Sequence, residues 1–256
     1  MEVHQTAREG FARGAHAYER SRPGYPDEAI AWLAEELGLR TGATVVDLAA
    51  GTGKLTRSLV ATGARVIAVE PVGQMLEILR QRAPEAEPRE GTAEATGLED
   101  GCADAVTVAQ AFHWFDGAAA LAEIHRVLRP KGKLALVWNV RDLDHPTQRA
   151  VDDLLAPHRG STPSHRSGRW REALERTSLF RAASKRSFPN VETLDAEGLV
   201  DRVASTSFIA DLPAERRMAV FEGARAIAGP LPSRFPFPYT TEIEVLERAT
   251  TPPAPA

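Results

Sequence analysis

At 256 residues, 43% hydrophobic and 26% charged, the chain has ordinary globular composition with ample material for a core. A formal net charge of −4 without long basic runs excludes attachment to nucleic acid or an anionic membrane through bulk charge. The single cysteine, Cys102, excludes an internal disulfide and a cysteine-built metal site, and no apolar run approaches the ~20 residues of a membrane span.

The polar opening, Met1 to Gly10, does not read as a secretory signal, so the expectation is a cytoplasmic protein, monomer or homodimer. Residues 10–20 read as a short helix or mobile arm, and Arg22-Pro23-Gly24-Tyr25-Pro26 as a turn. Asp27 is placed to cap a helix through Leu37, with Ile30, Leu33, Ala34 and Leu37 on one face and Gly38 closing it. Strand is expected from Ala43 to Leu48, then helix from Gly51 to Ala61 behind a glycine turn, then strand from Arg65 to Val69. Pro71 opens a helix carrying Met75, Leu76, Ile78 and Leu79, and a weak third strand follows near residues 86–90. Ala103–Ala109 reads as a fourth strand, Asp116–Leu128 as a helix, Pro130-Lys131-Gly132 as a turn and Lys133–Asn139 as a fifth strand. Alternating strand and helix implies parallel pairing with right-handed crossovers, an α/β doubly wound sheet with helices on both faces.

The second half is less regular. Helices are expected over Pro146–Ala156, Ala196–Thr206 and Pro213–Ala228, and strands over Phe180–Phe188 and Tyr239–Leu246. One domain over residues 1–248 is expected, with an arm or lid at 1–26, a cofactor core at 27–142, and cap helices plus the last two strands at 143–248. Residues 249–256, rich in proline and alanine, read as a disordered tail.

The turn Val45-Val46-Asp47-Leu48-Ala49-Ala50-Gly51-Thr52-Gly53-Lys54-Leu55 joins the first strand to the first helix, where such sheets bind ligands. Its glycines let backbone approach a ligand, and the helix start offers unpaired N–H groups. A P-loop fails twice, because Leu55 follows Gly53-Lys54 and Leu48 occupies the upstream glycine position. A dinucleotide turn begun at Gly51 meets Thr56 where its third glycine belongs, which weakens a nicotinamide-dependent reductase. S-adenosylmethionine suits Asp47 before the turn and Glu70 at the second strand end, where a carboxylate can accept from both ribose hydroxyls.

These residues resemble the class I S-adenosylmethionine-dependent methyltransferases, whose usual text is Asp-x-Gly-x-Gly-x-Gly. Ala49 replaces the first glycine, an exchange without consequence where that residue has a negative φ. The resemblance continues in order through the chain. Glu70-Pro71-Val72-Gly73-Gln74-Met75 is similar to the acidic strand end and the methionine that flanks adenine. Gly91-Thr92-Ala93-Glu94 resembles the stretch bordering the adenine ring, with Thr92 where an aspartate is common. Gln110-Ala111-Phe112-His113-Trp114 stands where the family places residues near the methionyl end, and residues 123–134 resemble its last crossover helix and turn. Residues 20–26 are similar to one bacterial small-molecule branch, distantly including trans-aconitate methyltransferases.

The resemblance implies a Rossmann-like, seven-stranded, mostly parallel sheet, with an N-terminal arm and a helical cap from the C-terminal half. It implies S-adenosylmethionine as cofactor, bound by Arg22, Asp47, Ala49, Gly51, Gly53, Glu70, Pro71, Met75, Thr92, Ala93, Glu94 and Gln110. Arg22 suits the cofactor's carboxylate, a bidentate contact. The implied reaction is in-line methyl transfer to a small-molecule acceptor with an oxygen, sulfur, nitrogen or carbon nucleophile. The alternative is a protein of the same fold that binds the cofactor without transferring methyl groups. His113 stands as a general base or a substrate-positioning group. Tyr18, Tyr25, Trp114 and Trp138 are expected with it in the substrate pocket. The candidate pocket aromatics Phe11, Tyr18, Phe112, Trp114, Phe115, Trp138 and Phe208 hint at an apolar or planar acceptor. No metal constellation stands out.

Overall fold

The computed structural model describes residues 15–250. A helical segment over 15–21 (α1) leads through the turn at 22–26 into α2, Asp27–Leu37. Then come β1 (Thr44–Leu48), α3 (Lys54–Val60), β2 (Arg65–Val69), α4 (Gly73–Arg82), β3 (Glu87–Arg89) and β4 (Ala103–Ala109). A 3₁₀ turn at Phe112–Trp114 precedes α5 (Gly117–Val127) and β5 (Leu128–Arg141). The remainder is α6 (Pro146–Leu155), α7 (Arg171–Arg176), β6 (Phe180–Leu194), α8 (Ala196–Ala204), α9 (Ser207–Ala210), α10 (Ala214–Ala228) and β7 (Phe235–Arg248).

The strands form a seven-stranded sheet in the order β3-β2-β1-β4-β5-β7-β6. Pairs from β3 to β5 are parallel, while β7 runs antiparallel to both β5 and β6. The order reverses between β1 and β4, which opens a crevice beyond their carboxyl ends. The apolar runs of the inner strands follow from burial on both faces. Val46, Leu48, Ile67 and Val69 pack one way, with Leu121 and Ile124 of α5. Val45, Val66 and Ala68 pack the other way, against Leu33 of α2 and Leu55 and Leu59 of α3.

Several local expectations change. Pro26, not Asp27, is the N-cap of α2, and no side chain caps it; Asp27 sits in the first turn, where its charge suits the helix dipole. Ala29 joins Leu33 and Leu37 in the core, while Ile30 and Ala34 are only partly buried. The turn at 130–132 is a bulge within β5: Leu128 pairs with Ala103 and Lys133 with Ala105, and Lys131 takes φ 66°. β6 and β7 are 15 and 14 residues long, well beyond the expected spans. Prolines hid them, since a proline cannot donate to the ladder. Pro189 lies on the edge strand β6, and Pro236 and Pro238 lie on the part of β7 that extends past β5.

That extension, with Tyr239 at its root opposite Arg141, carries Phe235 and Phe237 into a third cluster, with Val151 and Leu155 of α6, Leu199 and Val203 of α8, and Val220 of α10. Ala249, expected in the disordered tail, is instead held to the fold: it donates its N–H to the Leu179 carbonyl at 2.8 Å and is 8% exposed. Residues 1–14 and 251–256, including Phe11, lie outside the described residues. No described helix is long and apolar enough to cross a membrane.

The seam between α5 and α7 is very close: a Cβ on Gly117 would overlap the Cβ of Ala173. Gly117→Ala is expected to destabilise the chain by about 1–3 kcal/mol through overpacking. Denaturant unfolding checks this, and an unchanged midpoint would mean the seam yields freely.

Candidate active site

The crevice is built on backbone conformations that few side chains tolerate. Gly51 and Gly53 take φ 60° and 84°, and Gly53 caps α3 in the left-handed region. Ala49 takes φ 54°, so the condition for a harmless glycine replacement is not met. This non-glycine residue carries strain of about 1–2 kcal/mol. Next to it, the Ala50 N–H donates to the Val69 carbonyl at 3.1 Å, which ties the turn to β2. Gln110 takes φ 61° at the end of β4, its N–H held by the Val137 carbonyl at 2.9 Å. Strained non-glycine residues thus stand at both ends of the switch point, as they often do at functional sites.

Two buried carboxylates serve the turn differently. Glu70 accepts from the Gly51 N–H at 2.8 Å and from the Val72 N–H at 2.9 Å, and so links the turn to the start of α4. A carboxylate has about four acceptor positions, so capacity remains for a ligand. Burial pushes the Glu70 carboxyl up to about 7, against the opposing pull of those two N–H groups. Asp47 is 1% exposed and accepts from Thr56 at 2.6 Å and Thr107 at 3.0 Å. Burial raises it to about 6. It braces β1, α3 and β4 from beneath.

Met75 is 3% exposed and packs with Val72, Ile78 and Ala15, with Tyr18 beside them. Among the described residues, its Sδ is what a Cβ on Gly51 would meet, at 3.9 Å. Pro71 lies between Glu70 and this cluster, half-buried. Thr92 forms a small bridge with Ala95, while Ala93 is 4% exposed and packs in the core. Glu94 accepts from the Asp116 N–H at 3.0 Å and fixes the entry to α5.

The segment preceding α2 covers this floor. Glu19 accepts from Thr52 at 2.6 Å and pairs with Arg57 at 3.2 Å, which fastens α1 to the glycine turn. Asn139 and Asn190 both donate to the Gly24 carbonyl at 3.0 Å and pin the following turn to the strand ends. Arg22 stacks on Tyr18, 5.1 Å from the ring centre, and donates to the Ser205 carbonyl at 3.0 Å. Its Nε is buried with no hydrogen-bond partner among the described residues.

A cavity of about 270 Å³ is lined by Tyr18, Arg22, Gln110, His113 and Trp114 at the crevice end, and by Arg141, His165, Thr206 and Phe208 among others. Trp138 does not line it: 3% exposed, it lies behind, 5.3 Å from the His113 ring and 4.5 Å from that of His165. Phe112 is 1% exposed in the core, and Phe115 packs against that same cluster. Tyr25 is also absent from the cavity and packs against the α2–α3 face of the sheet. Among the described residues, the expected pocket aromatics that line the cavity are Tyr18, Trp114 and Phe208. His113 faces the cavity with Nδ1 buried and unpartnered, and burial, aided by nearby His165 and Arg22, lowers it to about 3. Arg141 at the end of β5 and Arg202 on α8 were invisible to motif reading, since nothing in the local sequence marks which of many arginines turns inward.

Fold and crevice together define a nucleotide-type cofactor site on a doubly wound sheet. Residues 46–136 match the family described as a methyltransferase domain. An uncharacterised methyltransferase of Mycobacterium tuberculosis is 39% identical over 223 residues, 87% of each chain. An uncharacterised methyltransferase-like protein of Schizosaccharomyces pombe is 38% identical over 216 residues, 84% of each. A solved protein of Anaeromyxobacter dehalogenans, assigned as a type II methyltransferase, superposes with a TM-score of 0.65 at 25% identity, covering 90% of this chain and 99% of its own. The chain belongs to the class I S-adenosylmethionine-dependent methyltransferases.

Proposed function

We propose that this enzyme binds S-adenosylmethionine in the crevice and methylates a small molecule held in the adjoining cavity. The observation that carries this reading is a glycine turn bound through its own N–H to a buried strand-end carboxylate, beside a cavity where Arg22 Nε, Gln110 Nε2 and Arg141 Nη1 are buried without a hydrogen-bond partner among the described residues. The residues fit the cofactor. Space stands open above Gly51, and Glu70 has spare acceptor capacity for ribose hydroxyls. The buried Nε of Arg22 and Nε2 of Gln110 suit the methionyl end. Met75 and Thr92 border the space expected for adenine. When bound, the cofactor supplies a methyl group already activated on a sulfonium.

The chain's own task is then to orient the acceptor and exclude water, for which proximity is worth up to ~7–11 kcal/mol. The cover formed by α1 and the turn after it supports that task. His113, with its ring lowered to about 3, is too weak a base for efficient proton abstraction near neutrality. Of its two expected roles this favours the second, a neutral hydrogen-bonding group that positions the acceptor.

Calorimetry with S-adenosylmethionine, and turnover to S-adenosylhomocysteine with a panel of small acceptors, tests the proposal. Absence of cofactor binding by the folded chain would reject it. For His113→Ala, KM is expected to rise by roughly 5- to 10-fold, the worth of one hydrogen bond. Between pH 6 and 8 the wild-type profile should show no limb that the variant lacks. Loss of a limb in that range would restore the base role.

A further inference from the structure

The charge of the cavity runs against its aromatic content. Among the described residues its wall carries Arg22, Arg141, Arg159 and Arg166 against one carboxylate, Asp152. Asp152 is already committed, accepting from Arg159 at 2.9 Å and from Arg166 at 2.5 Å. Arg141 has its Nη1 buried without a hydrogen-bond partner, as Arg22 has its Nε. Arg202, 4% exposed, adds a further cation close by, and its donors go to the neutral hydroxyls of Tyr239 at 2.7 Å and Ser205 at 3.2 Å. Burial and the proximity of Arg202 lower Arg141 to about 10 and Arg22 to about 9, which leaves both cationic at neutral pH. Asp152 offsets part of the Arg141 charge, but a buried guanidinium with an unpaired donor is costly, and an anion that completes it is correspondingly favoured.

The two arginines serve opposite ends. Arg22 follows α1 and stacks on Tyr18, beside the Met75 cluster and the cofactor crevice. Arg141 ends β5 and shares its end of the cavity with Asp152 of α6 and the 165–166 segment. Resting on the methyl-transfer reading above, we propose that the acceptor is a small organic oxyanion whose carboxylate or phosphate docks on Arg141. A bound sulfonium adds one more positive charge to the same enclosed space, and the acceptor's anion offsets it. The apolar part of such an acceptor would lie against Trp114 and Phe208, and the neutral imidazoles of His113 and His165 supply orienting hydrogen bonds.

The test uses the full chain saturated with S-adenosylhomocysteine, so that the subsite for the cofactor's own carboxylate is filled. Benzoate, phenyl phosphate and the neutral isostere benzamide are titrated by calorimetry. At least one anion should bind about 10-fold or more tighter than benzamide, and the better anion identifies carboxylate or phosphate as the natural group. Arg141→Gln should weaken that anion by about 10- to 100-fold, the worth of a charge-assisted hydrogen bond, and Arg141→Lys should recover part of the loss. Retained S-adenosylhomocysteine binding shows that each variant is folded. If a variant fails to fold, the wild-type comparison of anions with benzamide decides alone. Equal binding of all three probes, no anion binding, or anion affinity indifferent to Arg141→Gln would overturn the anchor. Failure of S-adenosylhomocysteine to bind the wild type would instead overturn the cofactor reading on which it rests.

Discussion

Glu70→Ala is expected to lower affinity for S-adenosylmethionine by at least about 1–3 kcal/mol, because ribose hydroxyls lose a charged acceptor. The structure adds a second loss. The same carboxylate holds the N–H groups of Gly51 and Val72, so its removal releases the turn that must fit the cofactor. Glu70→Gln separates the two effects in part, since its amide oxygen can hold only one side of that bridge. The carboxyl also sets a pH dependence. Its folded value of about 7 lies above the reference of 4.5, so between those values the folded chain without cofactor binds more protons than the unfolded chain. Stability contributed by Glu70 therefore falls as pH rises through that window. Asp47, raised from 3.8 to about 6, acts in the same direction. Cofactor affinity runs the opposite way, because the ionised carboxylate is the better acceptor for hydroxyls. Binding should be tighter at pH 8 than at pH 6, and Glu70→Gln should flatten that difference. Wild-type affinity in a folded Glu70→Ala variant would remove Glu70 from the site.

Gly51→Val is expected to abolish cofactor binding and also to cost stability. A β-branched residue at φ 60° is a genuine outlier, with strain of about 1–3 kcal/mol. Its methyl groups would occupy the space between the turn and Met75, where a bare Cβ meets the sulfur at 3.9 Å. Gly51→Ala distinguishes strain from obstruction. Alanine carries the same backbone cost but leaves most of that space open, so it should lower the melting temperature while keeping weakened, measurable binding. Calorimetry paired with melting curves reads both variants. A valine variant with unchanged affinity would place the cofactor elsewhere.

Much of the sheet was legible in the residues because inner parallel strands are buried on both faces, which leaves short β-branched runs that need no long-range information. Val45 to Leu48, Val66 to Val69 and Val106 to Val108 are such runs, and glycines between them mark the turns. The cofactor crevice was legible for the same local reason, since Gly51, Gly53 and Glu70 sit where one strand ends and a helix begins. β7 was half hidden because Pro236 and Pro238 look incompatible with a strand, and only its extension past β5 makes them acceptable. The φ of Ala49 could not be read either, because a left-handed conformation at alanine is imposed by the tie between β1 and β2 rather than by the residue.

The acceptor cavity was the least legible part. Asn139, Arg141, Asp152, His165 and Thr206 come from distant segments, while Trp138 lies behind the cavity wall and Tyr25 reaches Gln110 from the α2 side without lining the cavity. Local sequence determined the sheet and the cofactor turn, since backbone geometry and burial pattern act over a few neighbouring residues. Which side chains meet above the sheet, and the positive charge they concentrate there, was decided by tertiary packing. Electrostatic character belongs to the sum of groups brought within a few ångströms, and a chain with net charge −4 can still enclose a cationic pocket.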